Sequence, residues 1–420
     1  MKEIKPHKIS GCRISVPGSK SYTHRMLIAA ALAKGTSTLK NALISEDTQF
    51  TIDALRQMGI DIKVNRNDVR VYGKAGRLES CDTPIFLGNS GTTMRLLAAV
   101  AALGKGTYIL TGTPRMQMRP IKDLLKALQK MGVRARALNG NGCPPIEVTG
   151  GTISANQVSI NCQKSSQYLS ALLLTAPCTQ HGLDIHVIGG PVSRPYVELT
   201  LKLIKRFGIR FEREGYRKFK VPGGQLYRAG NYWVEPDCSQ AAYFWGAAAV
   251  TGARIKVMGV SADSAQGDVR FVELLKQMGC RIFKESDGIS VAGGPLHAIE
   301  ADMADMPDQV PTLAVVAAFA SGISVIKNVA HLKIKESDRL TATVTELKKM
   351  GIGAARTDNG LVVWGGIPRG SVIDTYNDHR IAMSFAIAGL NVPGVCIRDE
   401  DCVGKSFPGF WRVFEELYQS

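Results

Sequence analysis

Basic and hydroxyl residues gather where the helices of this chain are expected to begin. The starts of apolar runs carry Lys20-Ser21-Tyr22-Thr23-His24-Arg25, Gly88-Asn89-Ser90-Gly91-Thr92-Thr93, Ser165-Ser166-Gln167, Asp237-Cys238-Ser239-Gln240, Pro307-Asp308-Gln309 and Asn377-Asp378-His379-Arg380. The starts of amphipathic runs add Arg115-Met116-Gln117-Met118-Arg119-Pro120, Ser193-Arg194-Pro195-Tyr196 and Lys335-Glu336-Ser337-Asp338-Arg339. Ser, Thr, Asp and Asn are good N-caps, so helix formation alone accounts for them. Lys20, Arg25, Arg119, Lys335, Arg339 and Arg380 are different, because a cation at a helix N-terminus opposes the helix dipole. Such cations become favourable when they and the free N–H groups of the first turn surround bound anions. The chemistry this suggests is the handling of phosphates or carboxylates.

Asp308 and Glu336 stand among those cations. Each is either a structural counter-ion or an acid/base group, and their sequence context fits both. Standard nucleotide motifs are missing. Gly404-Lys405-Ser406 resembles the end of a P-loop, but position 399 is Asp where Gly is required, and Gly88-Asn89-Ser90-Gly91 is not GxGxxG. The phosphates are therefore not expected to be those of ATP or NAD.

Composition narrows the class. The 420 residues are 45% hydrophobic and 21% charged, ample for a soluble globular protein of two or three domains. Nine scattered cysteines without CxxC, and seven histidines without HxxxH, predict neither a disulfide framework nor a metal site, and no cofactor is expected. The first residues carry no apolar signal core, and no apolar run is long enough to span a bilayer, so a cytoplasmic protein is expected. The net charge of +16 invites an anionic partner or reflects a solvated basic surface. Lys and Arg are dispersed and no aromatic-interleaved basic patch occurs, so no nucleic acid is expected.

The elements that position these residues follow a regular array. Gly35, Gly106, Gly182, Gly252, Gly322 and Gly394 are spaced by 71, 76, 70, 70 and 72 residues, and each closes an apolar, Ala/Leu-rich run. Gly59, Gly132, Gly208, Gly279 and Gly351 each end an amphipathic run. This period is too long for a solenoid repeat and suits a small βαβ-containing unit. Each unit reads as strand, apolar helix, strand, amphipathic helix and two strands. In the second, an apolar helix over Gly91 to Leu103 precedes a strand at Thr107–Leu110 and a helix after Pro120, with Ile121, Leu124, Leu125, Leu128 and Met131 as one buried stripe. Helices that are apolar all round should be buried, with the amphipathic ones outside. A three-plus-three division and a monomer are expected, since the units can bury their own faces.

With these residues in place, the chain resembles the 5-enolpyruvylshikimate-3-phosphate synthase family. The resemblance rests on Pro17-Gly18-Ser19-Lys20-Ser21 with Arg25, Leu87-Gly88-Asn89-Ser90-Gly91-Thr92, Pro114-Arg115-Met116 with Arg119-Pro120, Ser165-Ser166-Gln167, Lys335-Glu336-Ser337-Asp338-Arg339-Leu340 and Asn377-Asp378-His379-Arg380, in order along the whole chain. It implies an α/β fold: a two-domain inside-out α/β barrel of six βαβαββ repeats, three per domain. Residues 1–18 and 235–420 would form one domain and 19–234 the other, with the active site in the interdomain cleft. The implied reaction transfers the enolpyruvyl group of phosphoenolpyruvate to the 5-hydroxyl of shikimate 3-phosphate by addition and then elimination of phosphate. By resemblance, Lys20, Ser21, Arg25, Ser165, Ser166, Gln167, Ser193, Tyr196, Asp308 and Lys335 hold shikimate 3-phosphate. Lys20, Gly91, Arg119, Gln167, Arg339, Arg380 and Lys405 hold phosphoenolpyruvate. Asp308 is implied as the base at the 5-hydroxyl, Glu336 as the proton donor to carbon, with Lys20 and His379 assisting.

The chain departs from the family pattern at three places: Leu96 where Pro is frequent, His331 where Asn is common, and Tyr22-Thr23-His24 in place of a smaller polar triplet. Gly91 leaves room that Ala would fill, which implies inhibition by glyphosate. The sister family acting on UDP-N-acetylglucosamine is the nearest alternative. Its reactive Cys has no counterpart between Pro114 and Pro120.

Overall fold

The structure, a computed structural model, describes residues 1–151 and 153–419. The chain divides into two compact units, Gly18–Val234 and a second made of Met1–Pro17 with Glu235–Ser420. Gly18 falls in the first of these, not with the N-terminal segment as the sequence suggested. A Cβ there would stand 1.8 Å from the carbonyl oxygen of Asn41, so only glycine lets the chain pass.

The unit 18–234 contains helices α1 (Lys20–Leu32), α2 (Glu46–Gln57), α3 (Gly91–Val100), α4 (Lys122–Lys130), α5 (Gln167–Thr175) and α6 (Pro195–Arg206). The apolar helices α1, α3 and α5 pack on one another in its centre. Each repeat adds a four-stranded sheet with one parallel edge pair and two antiparallel pairs. In the second repeat the order is Ile85–Phe86, Gly106–Thr111, Ile146–Gly150, Arg134–Ala137. Helix α4 lies on this layer through buried Leu124, Leu125 and Leu128, the stripe expected from its 3-4 spacing. It ends at Gly132, whose φ of 86° few other residues tolerate. The apolar run expected to be helical to Leu103 tightens into a 3-10 turn at Ala101–Leu103, where Gly104 N–H bonds to the Ala101 carbonyl at 3.2 Å.

The other unit carries α7 (Cys238–Thr251), α8 (Phe271–Gln277), α9 (Val310–Ala317), α10 (Arg339–Lys349), α11 (His379–Gly389) and α12 (Phe410–Glu415). Here α7, α9 and α11 form the buried centre. Helix α7 shows how locally each centre is specified. The Asp237 carboxylate accepts from the N–H groups of Ser239 (2.8 Å) and Gln240 (3.2 Å), the apolar or small residues Ala241 to Thr251 follow, and Gly252 closes the helix at φ 75°.

The sixth repeat is not complete in sequence order. After Val372–Ile373, α11 and Val395–Ile397 come only 3-10 turns and α12, with no further strand among the described residues. The missing antiparallel partner is Lys2–Ile4, which pairs with Val395–Ile397, while Cys12–Ile14 adds a parallel edge to Arg254–Met258. The N-terminal segment thus supplies strands to two sheets of the C-terminal unit. Similarly, Asn231–Trp233 supplies the parallel edge beside Lys34–Lys40.

Candidate active site

Because α1, α3 and α5 run side by side, their N-termini meet at one end of the 18–234 unit. Lys20 opens α1 and its Nζ lies 3.1 Å from Asp47 Oδ2 in the first turn of α2. Arg25, one turn further along α1, is 1% exposed. It donates from Nε to Thr200 Oγ1 (2.7 Å) and from Nη1 to the Ser21 carbonyl (3.0 Å). Its Nη2 donates to Ser170 Oγ (3.3 Å) and the Tyr196 carbonyl (3.5 Å). Every one of these acceptors is neutral, and no carboxylate among the described residues pairs with this guanidinium. Burial pulls its pKa down to about 10, the signature of a cation short of compensating charge.

Gly91 is the first residue of α3, and two guanidinia stand over it. A Cβ at that position would lie 2.5 Å from Arg119 Nη2 and 2.7 Å from Arg95 Nη1. Arg119 is placed by Asn89, donating from Nη1 to its carbonyl (2.9 Å) and to Oδ1 (3.0 Å). Arg95 donates to Gln167 Oε1 (2.9 Å), and Gln167 Nε2 donates to Thr92 Oγ1 (2.9 Å), tying α3 to α5. Ser165 Oγ accepts from Gln167 N–H at 3.2 Å, and Ser166 is buried at the N-terminus of α5. Ser193 sits before α6 at φ 52°, a left-handed conformation unusual for Ser. Tyr196 contributes its carbonyl to Arg25 and Thr200. Tyr22, Thr23 and His24 turn into the core: Thr23 Oγ1 donates to the Ser19 carbonyl (2.8 Å), and His24 Nδ1 is 2.7 Å from Thr51 Oγ1.

The second cluster lies in the other unit, at the N-termini of α9, α10 and α11, and centres on Arg339. This buried guanidinium is ringed by three carboxylates. Nη1 donates to Asp308 Oδ1 (2.8 Å) and Nη2 to Glu336 Oε2 (2.9 Å). Nε donates to Asp378 Oδ2 (2.8 Å). Burial disfavours its charge, but Asp378, Glu336 and Asp308 outweigh burial and raise its pKa well above the usual value. Asp378 also caps α11, accepting from Arg380 N–H at 3.0 Å, and accepts from Ser337 Oγ at 2.9 Å. Asp308 is 19% exposed and bridges Arg339 to Arg380, whose Nη2 is 3.1 Å from Oδ2. Burial alone would raise the Asp308 pKa. Arg380, Arg339 and Lys335 overcome burial and hold the carboxyl far below the usual range. His379 is buried with Nδ1 3.8 Å from Asp378 Oδ1. Lys405 is buried at the end of the 3-10 segment Glu400–Lys405. His331 is half-buried, and its Nε2 has no hydrogen-bond partner among the described residues. Burial and then Lys335 push its pKa down to about 4, so it is neutral at pH 7.

Sequence reasoning did not single out Asp47, Arg95, Asp268 and Tyr243 as parts of these clusters, and named Asn89 only within a motif. Arg95 had a local signal, lying one helical turn after Gly91 on the same face. Asp47 reads in sequence as an ordinary first-turn acid of α2. Asp268 is buried and accepts from Ser239 Oγ and from Gln309 Nε2, both at 3.1 Å. Burial first, then Asp308, raises its pKa to about 6. A carboxyl whose folded pKa exceeds its unfolded value holds its proton more tightly when folded. Its contribution to stability is present below about pH 4 and is lost as pH rises through about 6. Asp268→Asn keeps both contacts, since Ser239 Oγ can accept from the new amide. The variant is expected to be more stable than wild type at pH 7, by up to about 3 kcal/mol, and equal to it near pH 4. Denaturant melts at the two pH values test this; a variant less stable at pH 7 contradicts it.

Among the described residues no group of His, Cys, Asp and Glu could hold a metal ion, and no helix is long and apolar enough to cross a membrane.

The sequence profile of the family described as EPSP synthase (3-phosphoshikimate 1-carboxyvinyltransferase) matches residues 4–414. A 3-phosphoshikimate 1-carboxyvinyltransferase of Syntrophobacter fumaroxidans is 44% identical over 419 residues, 99% of each chain. One from Nostoc punctiforme is 41% identical over 411 residues, 97% of this chain and 96% of its own. The solved EPSP synthase of Acinetobacter baumannii superposes with a TM-score of 0.84 at 30% identity, covering 99% of this chain and 97% of its own. The enolpyruvyl transferase NikO of Streptomyces tendae shares the fold, with a TM-score of 0.77 at 20% identity.

Proposed function

The chain belongs to the EPSP synthase family, and from that premise we propose how its two clusters divide the work. The reaction is transfer of the enolpyruvyl group of phosphoenolpyruvate to the 5-hydroxyl of shikimate 3-phosphate, with release of phosphate, in the shikimate pathway. Both substrates are small anions. The enzyme must therefore hold two phosphates and two carboxylates together, deprotonate a hydroxyl and protonate a methylene carbon. Fixed cations supply positioning and offset the repulsion between substrates.

In this reading Ser21, Arg25, Ser165, Ser166, Gln167, Ser193, Tyr196 and Lys335 hold shikimate 3-phosphate. Arg119, Arg339, Arg380 and Lys405, with Gly91 and Gln167, hold phosphoenolpyruvate, and Lys20 touches both. Asp308 takes the proton of the 5-hydroxyl, Glu336 delivers one to carbon, and His379 assists. The observation that carries the reading is Arg25, a fully buried cation whose acceptors are all neutral oxygens. A buried charge left uncompensated is strongly unfavourable, and an anionic substrate supplies the missing charge. A monomeric cytoplasmic enzyme that binds no nucleic acid completes the proposal. Nine free cysteines and a pair of self-contained hydrophobic cores support it.

Glyphosate inhibition is part of the same reading. A methyl at Gly91 would press on the Arg119 and Arg95 guanidinia, which must shift to relieve contacts of 2.5 and 2.7 Å. Gly91→Ala is expected to raise the KM for phosphoenolpyruvate by about tenfold, the scale of an overpacking strain. It should weaken glyphosate at least as much. Inhibition constants on both proteins check this; potent inhibition of the variant but not of wild type overturns it.

The function itself is tested by phosphate release from phosphoenolpyruvate, with shikimate 3-phosphate or UDP-N-acetylglucosamine as acceptor. Release with shikimate 3-phosphate alone is the expected result. Release with the sugar nucleotide would move the specificity to the sister family, and release with neither from folded protein would reject the reading.

A further inference from the structure

Tyr243 places a hydroxyl where the pattern of its helix asks only for an apolar ring. It sits in the second turn of α7 within Ala241-Ala242-Tyr243-Phe244-Trp245, almost fully buried, its ring edge-on to Phe410 at 6.0 Å. Phenylalanine would fill the same space. A buried phenol needs a partner, and this one meets Arg380 Nη1 at 3.1 Å. The other terminal nitrogen of Arg380 donates to Asp308 Oδ2, also at 3.1 Å. The plane of this guanidinium is thus set by oxygens from two elements, a neutral phenol on α7 and a carboxylate just before α9.

These two contacts behave differently when the protein works. On the reading above, on which this inference rests, Asp308 accepts a proton from substrate, so its hold on Arg380 weakens within each cycle. The phenol does not change charge. Burial, opposed by Arg380, pushes its pKa up to about 12, so it stays protonated throughout. A fork-shaped donor misplaced by an ångström loses its match to a phosphate or carboxylate, so a contact whose charge never changes keeps its aim constant.

We propose that Tyr243 is a positioning residue for enolpyruvyl transfer: its hydroxyl holds the Arg380 guanidinium in place for phosphoenolpyruvate whatever the charge of Asp308. It touches no substrate and acts only through Arg380.

The test is steady-state kinetics of Tyr243→Phe beside Arg380→Ala, with thermal melting of both. Tyr243→Phe removes one oxygen and leaves the packing volume nearly unchanged. The expected result is a KM for phosphoenolpyruvate raised about tenfold, the scale of one hydrogen bond to a charged group. The KM for shikimate 3-phosphate should stay within about twofold, while the melting temperature falls by a few degrees as buried Arg380 Nη1 loses an acceptor. A lowered melting temperature with both KM values unchanged, or equal rises in both, would overturn the proposal. Arg380→Ala separates the two levels of argument. If it leaves the phosphoenolpyruvate KM unchanged, the assignment of Arg380 to that substrate fails. If it raises that KM while Tyr243→Phe does not, only the role of Tyr243 fails.

Discussion

Asp308→Asn is expected to lower kcat by about 10²- to 10⁴-fold with modest change in either KM, the loss typical of one acid/base group. Asn keeps the size of the side chain and one acceptor oxygen for Arg339; its amide nitrogen cannot accept from Arg380, which keeps its contact with Tyr243, and the proton acceptor is lost. The ionisation of Asp308 sharpens this expectation. Arg380, Arg339 and Lys335 keep the carboxyl ionised far below neutral pH. That makes it available as a base but a weak one, since efficient bases have pKa values near the working pH. On the proposed assignment, phosphoenolpyruvate brings negative charge to the same arginines. As they turn their charge to the substrate, Asp308 regains proton affinity when the 5-hydroxyl must lose its proton. An unchanged kcat would remove Asp308 from proton transfer. A rise in both KM values together with a fall in the melting temperature would make it a structural counter-ion, the other role its sequence context allowed.

Arg119→Ala is expected to raise the KM for phosphoenolpyruvate by about 30-fold or more, as truncating one side of a buried charge-assisted contact does. The shikimate 3-phosphate KM should stay near its wild-type value. Arg119 is buried and its fork is aimed by the carbonyl and side-chain oxygens of Asn89, so little conformational entropy is lost when an anion arrives. Arg119→Lys should recover only part of the loss, because an ammonium cannot reproduce two parallel donors. A selective loss of shikimate 3-phosphate affinity in the Ala variant would contradict the assignment.

Much of this arrangement was legible in the chain itself, and the legible part is local. Helix starts are marked by caps that act over two or three residues, as at Asp237 and Asp378, so the chemistry-bearing motifs could be placed at N-termini before any fold was known. The stripe Leu124, Leu125, Leu128 identified the outward helix of its repeat, and the positive-φ glycines, such as Gly132 and Gly252, divided the array. The family motifs then attached a reaction to the array. What the tertiary structure alone decided is which distant groups meet. Lys20 and Asp47 are 27 residues apart, Arg339 and Asp378 39, Arg95 and Gln167 72, and Tyr243 and Arg380 137. The array relates some of these positions, since 72 and 137 residues are close to one and two of its periods, but it does not say which side chains touch, because an ion pair depends on distance in space while a cap or an amphipathic stripe depends on spacing along the backbone. The same reason hid the closure of the sixth repeat. The resemblance placed residues 1–18 with the C-terminal domain, but Lys2-Glu3-Ile4 carries no strand pattern of its own, and only pairing with Val395–Ile397, at the far end of the chain, makes it a strand.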